Sequence, residues 1–501
     1  MPSDTAGPGL DAPGGEVAER RLHPLSWLFV LVTQLRQMLI PLVALLLFSR
    51  GDRWELLGLV SAGLIALYAF FYSIGFRYRL GRDEIYVREG VLGRTERHVP
   101  YGRIQNIVQE RHVLHRLFGV TELRLESAGG ARPEAVMNVI TVREAARIEA
   151  ILRGRDTGLD GVAAAAPGTP LLALSPGEVI RLGLVTNRGL VVVGAALALL
   201  TQFDLWDPRT LVRAGRGVGT RIGTWTPAAA SPPETAALAV AGVIVLVALL
   251  KVLSVAVAFV GFHGFRLWRD GERLRTESGF LTRHSASARR DKVQRVRLGD
   301  SWLSRRLGRQ WLSCDVAAGV QGQDAGEGTR LRWLVPLGTP DTAARVLAEV
   351  APGVDIHARH WRRLHPGARR RRFVAALIPW TLASAASAAL LGRWALLAWA
   401  AAVSWAWFGA RGWARFAAYA VDEETLAVRA GWHRREWTAA RLARGQVIVL
   451  RESPFDRRHG TANVELDTAG AGGGLRLEAP YVPVDEARAL VARLRAGIPA
   501  A

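Results

Sequence analysis

At 501 residues the chain is long enough for several domains, and half of its residues are hydrophobic, gathered in runs rather than spread evenly. A formal charge of +21 points to an anionic partner, but all except two of the 65 basic residues are arginine, and they sit in segments flanking the apolar runs. That placement favours a membrane surface over nucleic acid, because each basic residue beside an anionic leaflet is worth about 1 kcal/mol. A single cysteine, Cys314, excludes an intrachain disulfide and any multi-cysteine metal site, and its alternating apolar surroundings make it a small core residue.

Residues 1–24 carry Asp4, Asp11, Glu16 and Glu19 with no apolar core, so they read as a disordered cytoplasmic tail and not as a signal peptide. The first apolar pair occupies 25–75, with predicted spans at 27–48, which includes Gln34, Arg36 and Gln37, and at 56–74. A small β-rich domain follows over 76–155, then a linker over 156–177. The second pair, 178–262, places spans at 182–200 and 236–262 around an external loop at 201–235, although Arg209, Arg213, Arg216 and Arg221 argue against that side for the loop. A second β domain at 263–352, a basic linker at 353–372, a third pair at 373–410 and a third β domain at 411–496 complete the order.

A helix needs about 20 mostly apolar residues to cross a bilayer, so the pattern predicts about six transmembrane helices in three hairpins. Arg20 and Arg21, Arg77 and Arg79, Arg266 and Arg269, Arg369–Arg372, and Arg411 and Arg415 flank these hairpins. The positive-inside rule then puts the N-terminus and all three domains on the cytoplasmic face of the plasma membrane.

The three domains are copies of one unit. Gly90, Gly279 and Gly431 are separated by 189 and 152 residues, and the same offsets superpose Arg94/Arg283/Arg435, Gln105/Gln294/Gln446, Arg116/Arg305/Arg457 and Gly119/Gly308/Gly460 without a gap. In each copy an alternating run (85–87, 274–276, 426–428) meets the equivalent glycine as a hairpin requires, and further short strands with Gly-rich loops follow. Amphipathic helices are predicted over 143–152, 341–350 and 485–494.

These residues carry a resemblance. The opening RRLHPLSWLF (20–29), VPYGRIQNI (99–107) with its counterpart ARRDKVQRV (288–296), and RLFGV and RRLGR around Gly119 and Gly308 resemble the bacterial pleckstrin-homology-like membrane proteins of the YdbT/YdbS type. The resemblance extends over 20–494 and implies three pleckstrin-homology (PH)-like β domains, each closed by a C-terminal helix, and a role in envelope stress or defence. The third copy departs from the pattern with Arg444-Gly445-Gln446 where the others read Arg-Ile-Gln and Lys-Val-Gln.

The nearest approach to a site is a basic-x-Gln feature, Arg103/Gln105, Lys292/Gln294 and Arg444/Gln446, which can bind a lipid phosphate or a partner's backbone, or can tie one sheet to the next. Arg94, Arg283 and Arg435 read as strand-edge charges that discourage pairing with other chains. His357, His360 and His365 stand among arginines that repel a cation, and the run 470–474 lacks the Lys and Ser/Thr of a phosphate-binding loop. The expected function is therefore non-enzymatic, without cofactor or metal. The modules would contact membrane lipid and a protein partner, either as a homo- or hetero-oligomer or with a related PH-like membrane protein. A transporter or exporter component is the first alternative, and would use polar residues within the spans, such as Gln34, Arg36, Asn187, Arg188 and Lys251. A membrane enzyme acting on lipid or envelope precursors is the second; it needs a carboxylate or histidine cluster where the repeats supply arginine.

Overall fold

The computed structural model describes residues 20–32, 60–127, 134–157, 169–202, 232–316 and 331–497, apart from short breaks at 25, 61–62, 68–69, 72–74, 82, 91–93, 355, 357–359, 393 and 469–475. Most of the tail, much of the first apolar pair, the linker core at 158–168, the loop at 203–231, His357 and the Gly-rich loops lie outside the described residues.

The first domain runs β1 (Arg20–Arg21), β2 (Arg77–Leu80), β3 (Glu84–Glu89), β4 (Thr95–Pro100), β5 (Ile104–Arg111), α1 (Val113–Leu117), β6 (Val120–Ser127), β7 (Ala135–Thr141) and α2 (Val142–Thr157). The second opens on β8 (Leu172–Ala173) and the helices α3 (Pro176–Val185), α4 (Arg188–Gln202) and α5 (Pro232–Phe262). It continues through β9 (Arg266–Asp270), β10 (Arg273–Ser278), β11 (Arg283–Arg289), β12 (Val293–Ser301), α6 (Trp302–Arg306), β13 (Gln310–Val316), β14 (Trp333–Gly338) and α7 (Pro340–Val350). The third repeats the order. It consists of β15 (Arg362–Arg363), α8 (Ala368–Leu391), α9 (Trp394–Phe416), β16 (Ala418–Val421), β17 (Thr425–Gly431), β18 (Arg434–Arg441), β19 (Gly445–Arg451), α10 (Pro454–His459), β20 (Thr461–Thr468), β21 (Leu477–Pro483) and α11 (Val484–Gly497).

Alternation sets the faces of these strands. In β3, Ile85 and Val87 point inward and join Phe76, Ile107, Leu123, Leu125, Met137 and Ile148 in the first core. Two of the short helices start where side chains can satisfy their first amides: Ser301 with Ser304, and Ser453 with Asp456, form reciprocal caps. Cys314 is buried in the second core, where burial pushes its thiol pKa up.

The strands do not group by domain. The sheets are β1-β2-β3-β4, then β7-β6-β5-β11-β10-β9-β8, then β14-β13-β12-β18-β17-β16-β15, then β19-β20-β21, all antiparallel. Each seven-stranded sheet is thus composite: the second half of one domain pairs, through β5 and β11 or through β12 and β18, with the first half of the next. The second core crosses its junction as well, because Ala427, Trp437 and Ala439 of the third domain pack with Leu298 and Leu312 of the second, along with Leu182 and Phe262 from the helices.

The helices overturn one expectation. Among the described residues one helix, Val240–Phe262, is long and apolar enough to cross a membrane, or two spans are present if the pair Pro176–Val185 and Arg188–Leu199, bent by 59°, is one broken span. This replaces the expected six transmembrane helices. α4 has only 15 residues. α8 spends its first turns on Arg369–Arg372 and contains Pro379, and α9 carries Trp394, Trp399, Trp405 and Trp407 and ends among Arg411 and Arg415.

A two-residue strand brackets each helical insertion. Arg20 pairs with Tyr78, Leu172 with Leu267 and Arg362 with Tyr419, which are equivalent positions in the three copies. The chain therefore leaves and re-enters each domain at one place.

Candidate functional site

The basic-x-Gln feature falls on one structure in all three copies. Each basic residue ends a 3-10 turn, Tyr101–Arg103, Arg290–Lys292 or Leu442–Arg444, that carries the chain from the first half-sheet to the second. Arg103 is exposed, and Lys292 and Arg444 are half-buried. Gln294 is buried and its Nε2 donates back to the Lys292 carbonyl at 3.3 Å, whereas Gln446 is exposed; the side chain of Gln105 lies outside the described residues. The structure does not bring the three turns together at one pocket.

What it does bring together are the edges of consecutive domains. In the first junction Arg283 lies opposite Arg111 and Ala288 opposite Asn106; in the second Arg435 lies opposite Asp300 and Ala440 opposite Arg295. With the repeat offsets these are the same pairs, so both junctions use one register. This corrects the reading of Arg283 and Arg435 as edge guards, because β11 and β18 are interior strands of composite sheets. Arg283 is instead ion-paired with Glu277 at 3.2 Å, and the Arg435 guanidinium lies over the Phe416 ring.

A clasp repeats beside each junction. Arg116 on α1 donates to the carbonyl of Phe280 at 3.2 Å, and Arg305 on α6 donates to the carbonyls of Trp432 and His433 at 3.3 Å. Phe280 and Trp432 each follow the equivalent hairpin glycine. Arg305 is also ion-paired with Asp300, which is buried, and burial raises the Asp300 carboxyl above its usual value against the opposing pull of Arg305. Neither clasp was assigned a role from sequence. Their recurrence at the shared offsets was visible, but which hairpin they reach depends on the pairing of the sheets.

The repeat glycines have backbone roles in the hairpins and short helices. Gly90, Gly279 and Gly431 turn their hairpins with φ of +94°, +114° and +122°. Gly119, Gly308 and Gly460 are exposed and end α1, α6 and α10 in the left-handed region, with φ of +65°, +61° and +62°. Gly460 is itself the C-cap of α10, and its amide donates to the Arg457 carbonyl at 3.4 Å, as Gly119 does to Arg116 at 3.4 Å and Gly308 to Arg305 at 3.0 Å. The shared Arg-to-Gly spacing therefore closes the short helices that carry Arg116, Arg305 and Arg457. Gly460 is thereby a helix terminator on the surface.

Histidines line the first junction. His284 sits opposite Glu110, and burial, with His112 and Arg124 adding repulsion, pushes it down to about 4 from 6.5; His115 is lowered to about 4 mainly by burial. Burial also raises Glu110, whose charge is opposed by Arg124. A histidine held below its unfolded value gives stability that is present above about pH 6.5 and is lost as pH falls toward 4. The melting temperature of the full chain is therefore expected to drop across that window, and His284→Gln to flatten the slope. An unchanged slope in that variant would remove His284 as a cause.

The polar residues of the second helical pair are internally occupied. Lys251 Nζ donates to Leu184 O at 2.9 Å and to Asn187 Oδ1 at 2.8 Å, and the Ser254 hydroxyl lies between Gly183 O at 2.8 Å and Thr186 O at 2.9 Å, with one hydrogen for the two. They satisfy carbonyls released where α3 breaks from α4, as apolar surroundings demand. Gln34 and Arg36 lie outside the described residues. Separately, a cavity of about 380 Å³ between the second and third domains is lined by Arg295, Arg297, Arg372, Arg434 and Arg476, with Glu436 and Glu478 among its walls.

Comparison with known proteins agrees with this repeated architecture. The Bacterial PH domain family matches residues 28–156, 210–349 and 373–498, together well over half of the chain. The UPF0699 transmembrane protein YdbT of Bacillus subtilis (strain 168) is 22% identical over 342 residues, which cover 64% of this chain and 66% of the relative. No solved structure matches. Three matched segments, each ending in a half-sheet closed by a helix, place this chain in the bacterial PH domain family.

Proposed function

We propose that the chain is a non-enzymatic, membrane-held scaffold whose PH-like modules serve protein assembly at the inner leaflet. The observation that carries this reading is the pair of composite sheets: one register and one arginine clasp are used twice to join a module to the next, so the shared chemistry of the repeat is module recognition by strand addition. Membrane attachment is supported by Val240–Phe262 and by the likeness to YdbT, a transmembrane protein. In the cavity beside α8 and α9, Arg372 and Arg434 suit a lipid phosphate, while Arg295, Arg297 and Arg476 are held by Asp315 and Glu465. A transport role has less support, since Asn187 and Lys251 bond to the broken helix and to each other. A part in envelope stress or defence rests on the family resemblance.

The test is the mass of the full chain after extraction from native membranes in mild detergent, measured by light scattering with the detergent contribution removed. A complex heavier than the 54.5 kDa chain is expected. Only single chains at every concentration would overturn the reading. The Arg103/Lys292/Arg444→Ala variant then asks whether the basic turns take part: an assembly unchanged in that variant would assign those turns to lipid contact or to folding.

A further inference from the structure

The two junctions leave one strand unmatched at each end of the row. β4 is the first-copy equivalent of β11 and β18, and β19 is the third-copy equivalent of β5 and β12. Among the described residues β4 pairs only with β3, and β19 only with β20. We propose that β19 of one chain pairs with β4 of a second copy, extending the row head to tail through a third composite sheet.

Exposure shows what these strands lack. Val447 is 52% exposed where its equivalents Asn106 and Arg295 are 3% and 4% exposed, and Leu450 is 38% exposed where Gln109 and Leu298 are 6% and 2% exposed. Four of the six residues of β4 are exposed, while β11 and β18 each bury three residues. Two apolar side chains on a bare strand edge are an aggregation hazard in a protein that leaves them uncovered.

The register follows from the existing junctions. Carrying the shared pairing forward by the repeat offsets sets Glu452 opposite Arg94, Leu450 opposite Glu96 and Val447 opposite Val99. Arg94 facing Glu452 repeats the opposite charges of Arg435 and Asp300 in the second junction, where the first junction faces Arg283 with Arg111, and both residues flank their strands. Pro100, which has no amide hydrogen to give, falls outside the six-residue ladder equivalent to 283–288. A second copy is the occupant because this chain's own repeat supplies both the register and the facing charges. The interface is heterologous, so the row closes into a ring or runs on as a filament.

This inference rests on the assembly reading and names its partner. In membranes containing two differently tagged full-length chains, one with Leu450→Cys and one with Glu96→Cys, mild oxidation is expected to yield a mixed-tag dimer at least tenfold above an off-register pair, Gln446→Cys with Glu96→Cys. Glu452→Arg should reduce that product severalfold, and Arg94→Glu in the other chain should restore it. A yield no greater than the off-register pair would overturn the proposal, and would leave the assembly reading standing if the extracted mass still exceeds one chain. Cross-linking that ignores the charge swap would overturn the register.

Discussion

Replacing Arg305 with alanine is expected to destabilise the full chain by about 3–5 kcal/mol, because it strands the buried Asp300 carboxylate without its partner. The same change removes the hydrogen bonds to Trp432 and His433 that fasten the third domain's hairpin. The two losses act on one junction, so the third domain should separate from the second before either core melts. Limited proteolysis within the linker at 353–372, together with thermal unfolding, reads both effects. Arg305→Lys keeps a charge near Asp300 but loses the planar fork that reaches two carbonyls, and should fall between wild type and alanine. Asp300→Asn should be milder than Arg305→Ala, since no buried charge is left behind. Arg116→Ala should lose only about 1 kcal/mol, because Arg116 is exposed and its clasp is one bond to Phe280. A loss below about 1 kcal/mol in Arg305→Ala would show that the junction is held by strand pairing alone.

The repeat was legible because it depends on residue identity at fixed offsets, and the glycines, the clasp arginines and the closing helices all keep their spacing. What Gly460 and its equivalents do was not legible, because a shared glycine can mark a hairpin, a helix end or a close contact, and only the backbone distinguishes them. Strand alternation was legible for the same local reason as the repeat, as in Ile85 and Val87. The partner of each strand was not. Side-chain periodicity reports which face is buried and is silent about which backbone lies alongside, so β11 and β18 looked like edges and their arginines like guards. One weak signal pointed the other way: the equivalents of Val447 are the polar Asn106 and Arg295, which the composite sheets bury and which bond within their own domains to Glu126 at 2.8 Å and Asp315 at 2.7 Å. Helix counting failed on composition: alanine and tryptophan fill α9 without the apolarity of α5, and a run of apolar residues does not reveal a bend such as that at Thr186 and Asn187.

Gly279→Val is expected to have the second large effect, about 3 kcal/mol, since a β-branched residue in the left-handed region adds strain of about 1–3 kcal/mol to a direct collision. Gly279 has φ of +114°, and a Cβ there would run into the carbonyl oxygen of Thr282 across the hairpin. That turn has three duties. Its amides at Gly279 and Phe280 donate to His263 O at 3.0 Å and Val260 O at 2.9 Å, satisfying carbonyls at the end of the α5 helix, while the Phe280 carbonyl receives Arg116. A distorted turn should therefore loosen the helix end and the first junction together, read as faster amide exchange in 258–263 and in β5. Gly308 supplies the control: its φ is +61° and the space around its Cβ position is open, so Gly308→Ala should lose only about 1 kcal/mol and leave exchange in β5 unchanged. If Gly279→Val instead melts the second domain without affecting β5, the hairpin serves its own fold only, and the coupling of α5 to the module junction runs elsewhere.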